Sequence, residues 1–133
     1  IIDLEQWMMQ RAETDEELTP ELLTTINGLH KKYIEYISAN YSYPITVEDI
    51  ASYVGLSRSH LFRSFETVLG QSPKEYLTEF RMKQACYLLE HSSLSVTAIA
   101  ISVGFDNSLY FSKTFHRANG LSPREYRQSK KSP

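Results

Sequence analysis

A block of residues recurs in this chain about fifty positions after its first appearance, and that repeat limits the folds open to it more than any other feature. Ile50-Ala51 and Val54-Gly55 reappear as Ile99-Ala100 and Val103-Gly104, at an offset of 49. Beyond that turn the offset is 50: Leu61 aligns with Phe111, Phe65 with Phe115, Gly70 with Gly120, Ser72-Pro73 with Ser122-Pro123, and Glu75-Tyr76 with Glu125-Tyr126. One residue is therefore gained in or just after the second turn. Type and spacing agree over about 27 positions, hard to dismiss as chance, while two copies do not imply a solenoid.

Each copy reads as two short helices around a tight turn. In the first, Thr46 caps a helix with Asp49 at the capping-box position and Ile50, Ala51 and Val54 on its apolar face. Gly55 ends that helix, because a left-handed backbone costs glycine no Cβ clash. Ser57 caps the next, whose inward ridge is Leu61, Phe65 and Leu69 and whose end is Gly70. With so little chain between them the two helices must cross steeply, as in a helix-turn-helix. In the second copy Ser95 is the cap, Ile99, Ala100 and Val103 face inward, Gly104 closes the helix, and Asp106-Asn107-Ser108 opens another with Phe111 and Phe115 four apart.

Between the copies, Ser72-Pro73-Lys74-Glu75 reads as a complete capping box with proline at the first helical position. The helix it opens runs through Tyr76, Leu77, Phe80, Ala85, Leu88 and Leu89 to about Glu90, a rod of roughly 27 Å. Upstream, Thr19-Pro20-Glu21 starts a helix carrying Leu22, Ile26, Leu29, Tyr33 and Ile37, which Asn40 and Pro44 stop; Gly28 leaves open a kink or a division into two helices. The expected fold is all-α, two helix-turn-helix subdomains joined by a long central helix. Residues 1–28 form a linker or the tail of an absent upstream domain, 29–90 the first subdomain with the linking helix, 91–128 the second, and 129–133 a C-terminal tail.

Charge and composition narrow the function. The net charge of −2 looks wrong for a nucleic-acid partner until the chain is divided at Pro44. Residues 1–44 hold three basic and eight acidic side chains; residues 45–133 hold eleven and eight, so the basic excess belongs to the repeat. The acidic run from Glu13 to Glu17 reads as a solvated face or linker, and Trp7 as a residue that once packed on another domain. The first residue is isoleucine rather than methionine, and an upstream sensory or dimerisation domain is expected. No stretch of about 18 apolar residues spans a membrane. Together with the single cysteine, Cys86, read as a buried thiol on a helix, this favours the cytoplasm. His30, His60, His91 and His116 lack metal-ligand spacing, so no metal or other cofactor is expected. No strained nucleophile turn or phosphate-cradling glycine loop accompanies the serines and histidines, and no catalysis is expected either.

With Leu61 and Phe65 inward, a step of about 100° per residue turns Ser59, Phe62, Arg63 and Glu66 outward. The same positions in the second copy are Leu109, Ser112, Lys113 and His116, so Arg63 and Lys113 are equivalent cations. Such a stripe suits base reading: arginine bonds guanine O6 and N7 together, and an apolar neighbour lies against a thymine methyl. Phe62, an aromatic beside Leu61, is equally at home in a core. Lys74, Arg117 and Arg124 divide evenly between phosphate contact and plain surface charge.

From these residues the chain resembles the AraC/XylS family of bacterial transcription regulators, specifically the family's C-terminal DNA-binding domain. The resemblance is carried by Gly104-Phe105, Asp106, Ser108, Tyr110-Phe111, Lys113, Phe115, Arg117, Gly120, Ser122-Pro123 and Tyr126-Arg127, and by Arg81, Ala85, Leu88 and Leu89 of the linking helix. It implies seven helices and a double-stranded DNA partner, with both recognition helices in successive major-groove segments on one DNA face, about 34 Å apart. Base contacts then fall on Arg58, Ser59, Phe62 and Arg63 in the first unit and on Asn107, Ser108, Leu109, Ser112 and Lys113 in the second. Contact with RNA polymerase, as in an activator, is implied only by the resemblance. Two positions depart from the family pattern: Phe62 stands where a polar residue is common, and Lys113 where arginine is, and a lysine lacks the planar fork. The competing class is a helical protein–protein interaction or oligomerisation module without DNA readout.

Overall fold

The computed structural model describes the backbone of residues 20–131 and the side chains of residues 28–131. Trp7, the acidic run, the Thr19 cap and the side chains of Leu22 and Ile26 lie outside these bounds. Seven helices occur among the described residues: α1 (Pro20–Asn40), α2 (Val47–Val54), α3 (Arg58–Leu69), α4 (Pro73–His91), α5 (Val96–Ser102), α6 (Ser108–Asn119) and α7 (Pro123–Lys130). None is long and apolar enough to cross a membrane. The chain divides into two compact units, one holding residues 20–39 and 45–76 among those described, the other residues 40–44 and 77–131.

In the first unit, α1 is one unbroken helix of 21 residues, so the division at Gly28 does not occur. A lone glycine costs a helix only about 1 kcal/mol. Burial of Leu29, Tyr33 and Ile37 along one face offsets that cost. Tyr33 stacks on Phe65 with ring centroids 4.2 Å apart, and its hydroxyl meets the buried Ser64 Oγ at 2.5 Å, tying α1 to α3. Ile50, Ala51 and Val54 of α2 and Leu61 and Phe65 of α3 are buried as their spacing predicts. Thr46 makes both halves of its capping box, accepting from Asp49 N at 3.1 Å and donating its own N–H to Asp49 Oδ2 at 2.8 Å. Of the box expected at Ser72, the half in which Ser72 Oγ accepts from Glu75 N is formed, at 3.1 Å.

The second unit is built on the linking helix from Leu77 onward. Met82, Ala85 and Leu89 join Ile99, Ala100, Val103, Phe105, Phe111 and Phe115 in one buried cluster, against which Tyr41, Cys86 and Tyr126 also pack. The helix grouped above with the first subdomain thus contributes most of its apolar face to the second. Arg81 fastens the segment before Ile45: Nε donates to Tyr41 O and a terminal guanidinium nitrogen to Tyr43 O, both at 2.9 Å. Partial burial lowers its pKa, though an arginine so bonded stays charged. Arg127 does similar work at the other end of α4, donating to Leu89 O in its last turn at 3.1 Å and to Ser92 O just past its end at 3.3 Å. Cys86 is only part-buried; burial pushes its thiol pKa up, away from the reactive thiolate.

The backbone locates the extra residue of the second copy. Leu56 N bonds Ala51 O (2.9 Å) and Phe105 N bonds Ala100 O (2.8 Å), an offset of 49. Leu61 N bonds Ser57 O (2.9 Å) and Phe111 N bonds Asn107 O (3.0 Å), an offset of 50. The gained residue is Asp106. The second turn also ends its helix earlier than expected: α5 stops at Ser102 with Val103 as its cap, and Gly104 stands just beyond, at φ +96°.

Candidate nucleic-acid interface

Each proposed recognition helix begins at a side-chain cap, which fixes the rotation of everything after it. Ser57 Oγ accepts from His60 N at 3.3 Å, and Asn107 Oδ1 accepts from Tyr110 N at 2.9 Å. With Leu61 and Phe65 fully buried, Arg58, Ser59, Phe62, Arg63 and Glu66 of the first unit all lie exposed. Phe62 is 48% exposed, which settles its ambiguity against the core: Leu61 fills the inward position beside it. With Phe111 and Phe115 fully buried, Leu109 is 64% exposed, Asn107 and Lys113 are exposed, and Ser108 and Ser112 are half-buried. Asn107 is first a cap: its side-chain oxygen accepts from Tyr110 N.

The first unit brings more together than the helix face alone. Arg58, Ser59, Phe62 and Arg63 share an open groove of about 550 Å³ with Val47 and with Ser72, Pro73 and Lys74 at the start of α4. Its lining combines the apolar Val47, Phe62 and Pro73 with three cations, Arg58, Arg63 and Lys74. Lys74 was indistinguishable from surface charge in the sequence, yet a signal was present: the repeat places Arg124 at the equivalent position of α7. Arg58, however, is not idle. Its guanidinium bonds Glu48 Oε1 at 2.7 Å, across the turn from the first residue of α3 to the first turn of α2. Tyr110, absent from the sequence-derived set, is 55% exposed beside Leu109, its ring tilted 5.7 Å from Phe105.

The two units differ in charge. Residues 20–39 and 45–76 hold five basic and six acidic side chains, whereas residues 40–44 and 77–131 hold eight and four. Lys113, Arg117 and Arg124 are all exposed on the second unit. Among the described residues no group of three histidine, cysteine, aspartate or glutamate side chains is placed to hold a metal ion.

A family model described as a helix-turn-helix domain matches residues 50–129. The lactose operon transcription activator of Staphylococcus xylosus is 39% identical over 126 residues, covering 92% of this chain; the chain spans 45% of that relative's length. Among solved structures, an AraC-type DNA-binding-domain regulator from Chromobacterium violaceum superposes with a TM-score of 0.75 at 34% identity, covering 80% of this chain and 96% of that one. The DNA-binding domain of AdpA, solved in complex with a target DNA, superposes with a TM-score of 0.71 at 30% identity, covering 76% of this chain and 90% of that one.

Proposed function

The chain belongs to the AraC-type family of helix-turn-helix DNA-binding domains, and on that premise we propose that it reads duplex DNA site-specifically for a bacterial transcription regulator. In this reading α3 and α6 lie in successive major-groove segments. Arg58, Ser59, Phe62 and Arg63 contact bases from the first, and Asn107, Ser108, Leu109, Ser112 and Lys113 from the second. The observation that carries it is the equivalence of two exposed stripes, each centred on a cation, Arg63 or Lys113, and each backed by two fully buried apolar residues four apart. Solvated cations need no such matching; readers of a shared partner do. The groove at Lys74 adds a place for the phosphate backbone beside the base-reading face.

The similar proteins are transcription regulators rather than enzymes, and the reading assigns this chain no catalysis. Because the chain spans less than half of an operon activator, a sensory or dimerisation region, contact with RNA polymerase and a cytoplasmic setting are part of the same proposal.

Duplexes selected from a random pool against the full chain test the reading. Arg63→Ala and Lys113→Ala should each weaken binding to the selected duplex by about 1–3 kcal/mol while leaving random duplex nearly unchanged. Equal losses on both make these residues phosphate contacts instead. Affinity that does not fall with salt refutes DNA binding as the chain's role, because neutralising phosphates releases counterions whereas apolar docking does not.

A further inference from the structure

Glu48 sits where a DNA-facing surface should least tolerate a carboxylate, in the first turn of α2 and bonded to the first residue of the recognition helix. We propose that Glu48 is a positioning residue that sets the discrimination of the first unit, by holding Arg58 until a base acceptor of the correct site replaces it. The proposal rests on the DNA-reading function above.

Three observations carry it. The Arg58–Glu48 bond is short, 2.7 Å, yet the two side chains are 70% and 58% exposed. An exposed pair biases an equilibrium by at most about fivefold, so a better acceptor can displace it. Guanine O6 and N7 offer arginine a paired, planar acceptor, whereas a single phosphate oxygen in water offers little more than Glu48 does. Second, the repeat contains its own comparison: the positions equivalent to Glu48 and Arg58 are Thr97 and Ser108, so the second unit has no such pair. Third, residues 45–76 carry no basic excess while residues 77–133 carry four more basic than acidic side chains. On random DNA the second unit supplies the electrostatic attraction. In the first, Arg58 remains on Glu48 and the carboxylate repels the backbone.

Replacing the carboxylate by its amide releases Arg58 at nearly constant shape. Glu48→Gln should raise affinity for random duplex by about threefold to tenfold and raise affinity for the selected duplex less, so that the ratio between them falls. One added phosphate contact steepens the salt slope by roughly 0.9, an extra three- to fourfold loss between 50 and 200 mM salt. Arg58→Gln should cost the selected duplex roughly five- to 150-fold. In that background Glu48→Gln should no longer change the ratio. Glu35→Gln on α1 removes the same charge from an exposed site outside the proposed interface, and melting curves check that all variants fold.

A rise shared equally by both duplexes, matched by Glu35→Gln, or retained without Arg58 overturns the positioning role. Wild-type chain that enriches no duplex overturns the DNA reading and this proposal with it, an outcome distinct from a wild type that selects a site and a Glu48→Gln variant that selects it equally well.

Discussion

Gly104 offers the sharpest test of the second unit's architecture. A Cβ built on it would stand 2.4 Å from Tyr41 O and 2.9 Å from Arg81 Nε, and its φ is +96°. Two costs follow from Gly104→Ala. The left-handed backbone costs an L-residue about 1–2 kcal/mol. The methyl also drives into a backbone oxygen that cannot rotate away, so the Arg81–Tyr41 bond must open; a hydrogen bond to a charged group is worth about 1.5–3 kcal/mol. Together they predict a loss of about 2.5–5 kcal/mol, or roughly 8–20 °C in Tm for a chain of this size. Gly120→Ala is the matched control, because Gly120 also has positive φ (+77°) but no atom within 4 Å of where its methyl would stand, leaving only the backbone cost. Urea unfolding of both variants, followed by circular dichroism, measures the difference. If Gly104→Ala loses no more stability than Gly120→Ala, the close approach of residues 40–44 to the second turn is wrong.

Three further outcomes follow from particular bonds. Arg127→Ala should destabilise the chain by about 1.5–3 kcal/mol in denaturant unfolding, and Arg127→Lys should recover only part, since a point charge cannot span both Leu89 O and Ser92 O. Tyr33→Phe leaves the buried Ser64 hydroxyl without its partner and should cost about 1–3 kcal/mol; adding Ser64→Ala should restore some of it, a non-additivity that a double-mutant cycle reads directly. Glu125 accepts from Ser122 N at 2.9 Å, and its bonds to Ser122, the backbone one first and the hydroxyl second, hold its carboxyl below the ordinary 4.5. A depressed folded value gives stability that is present above the unfolded pKa and is lost as pH falls through the folded one. Ser122→Ala keeps the backbone N–H and removes only the hydroxyl, so an NMR titration should show the Glu125 midpoint move part of the way back up; an unchanged midpoint would refute the hydroxyl's share and leave the backbone bond as the cause.

What could be foreseen from the residues was whatever depends on neighbours in the chain. Caps at Thr46, Ser57, Ser72 and Ser95, the inward ridges Leu61/Phe65 and Phe111/Phe115, and the outward cations Arg63 and Lys113 all follow from helical periodicity and local hydrogen bonding, which act over three or four residues. The family resemblance was legible for the same reason, since its motifs lie in short contiguous stretches.

What remained hidden depends on approaches between residues far apart in sequence. Neither the exposure of Phe62 nor the unbroken course of α1 past Gly28 could be decided without knowing what packs alongside, because burial is a property of the neighbour as much as of the residue. Only the folded chain shows Arg81 gripping Tyr41 and Tyr43, Gly104 admitting that backbone, Lys74 joining the groove beside Arg63, and Glu48 holding Arg58. Each is a bond or contact across a turn or between helices, set by geometry that no local pattern encodes.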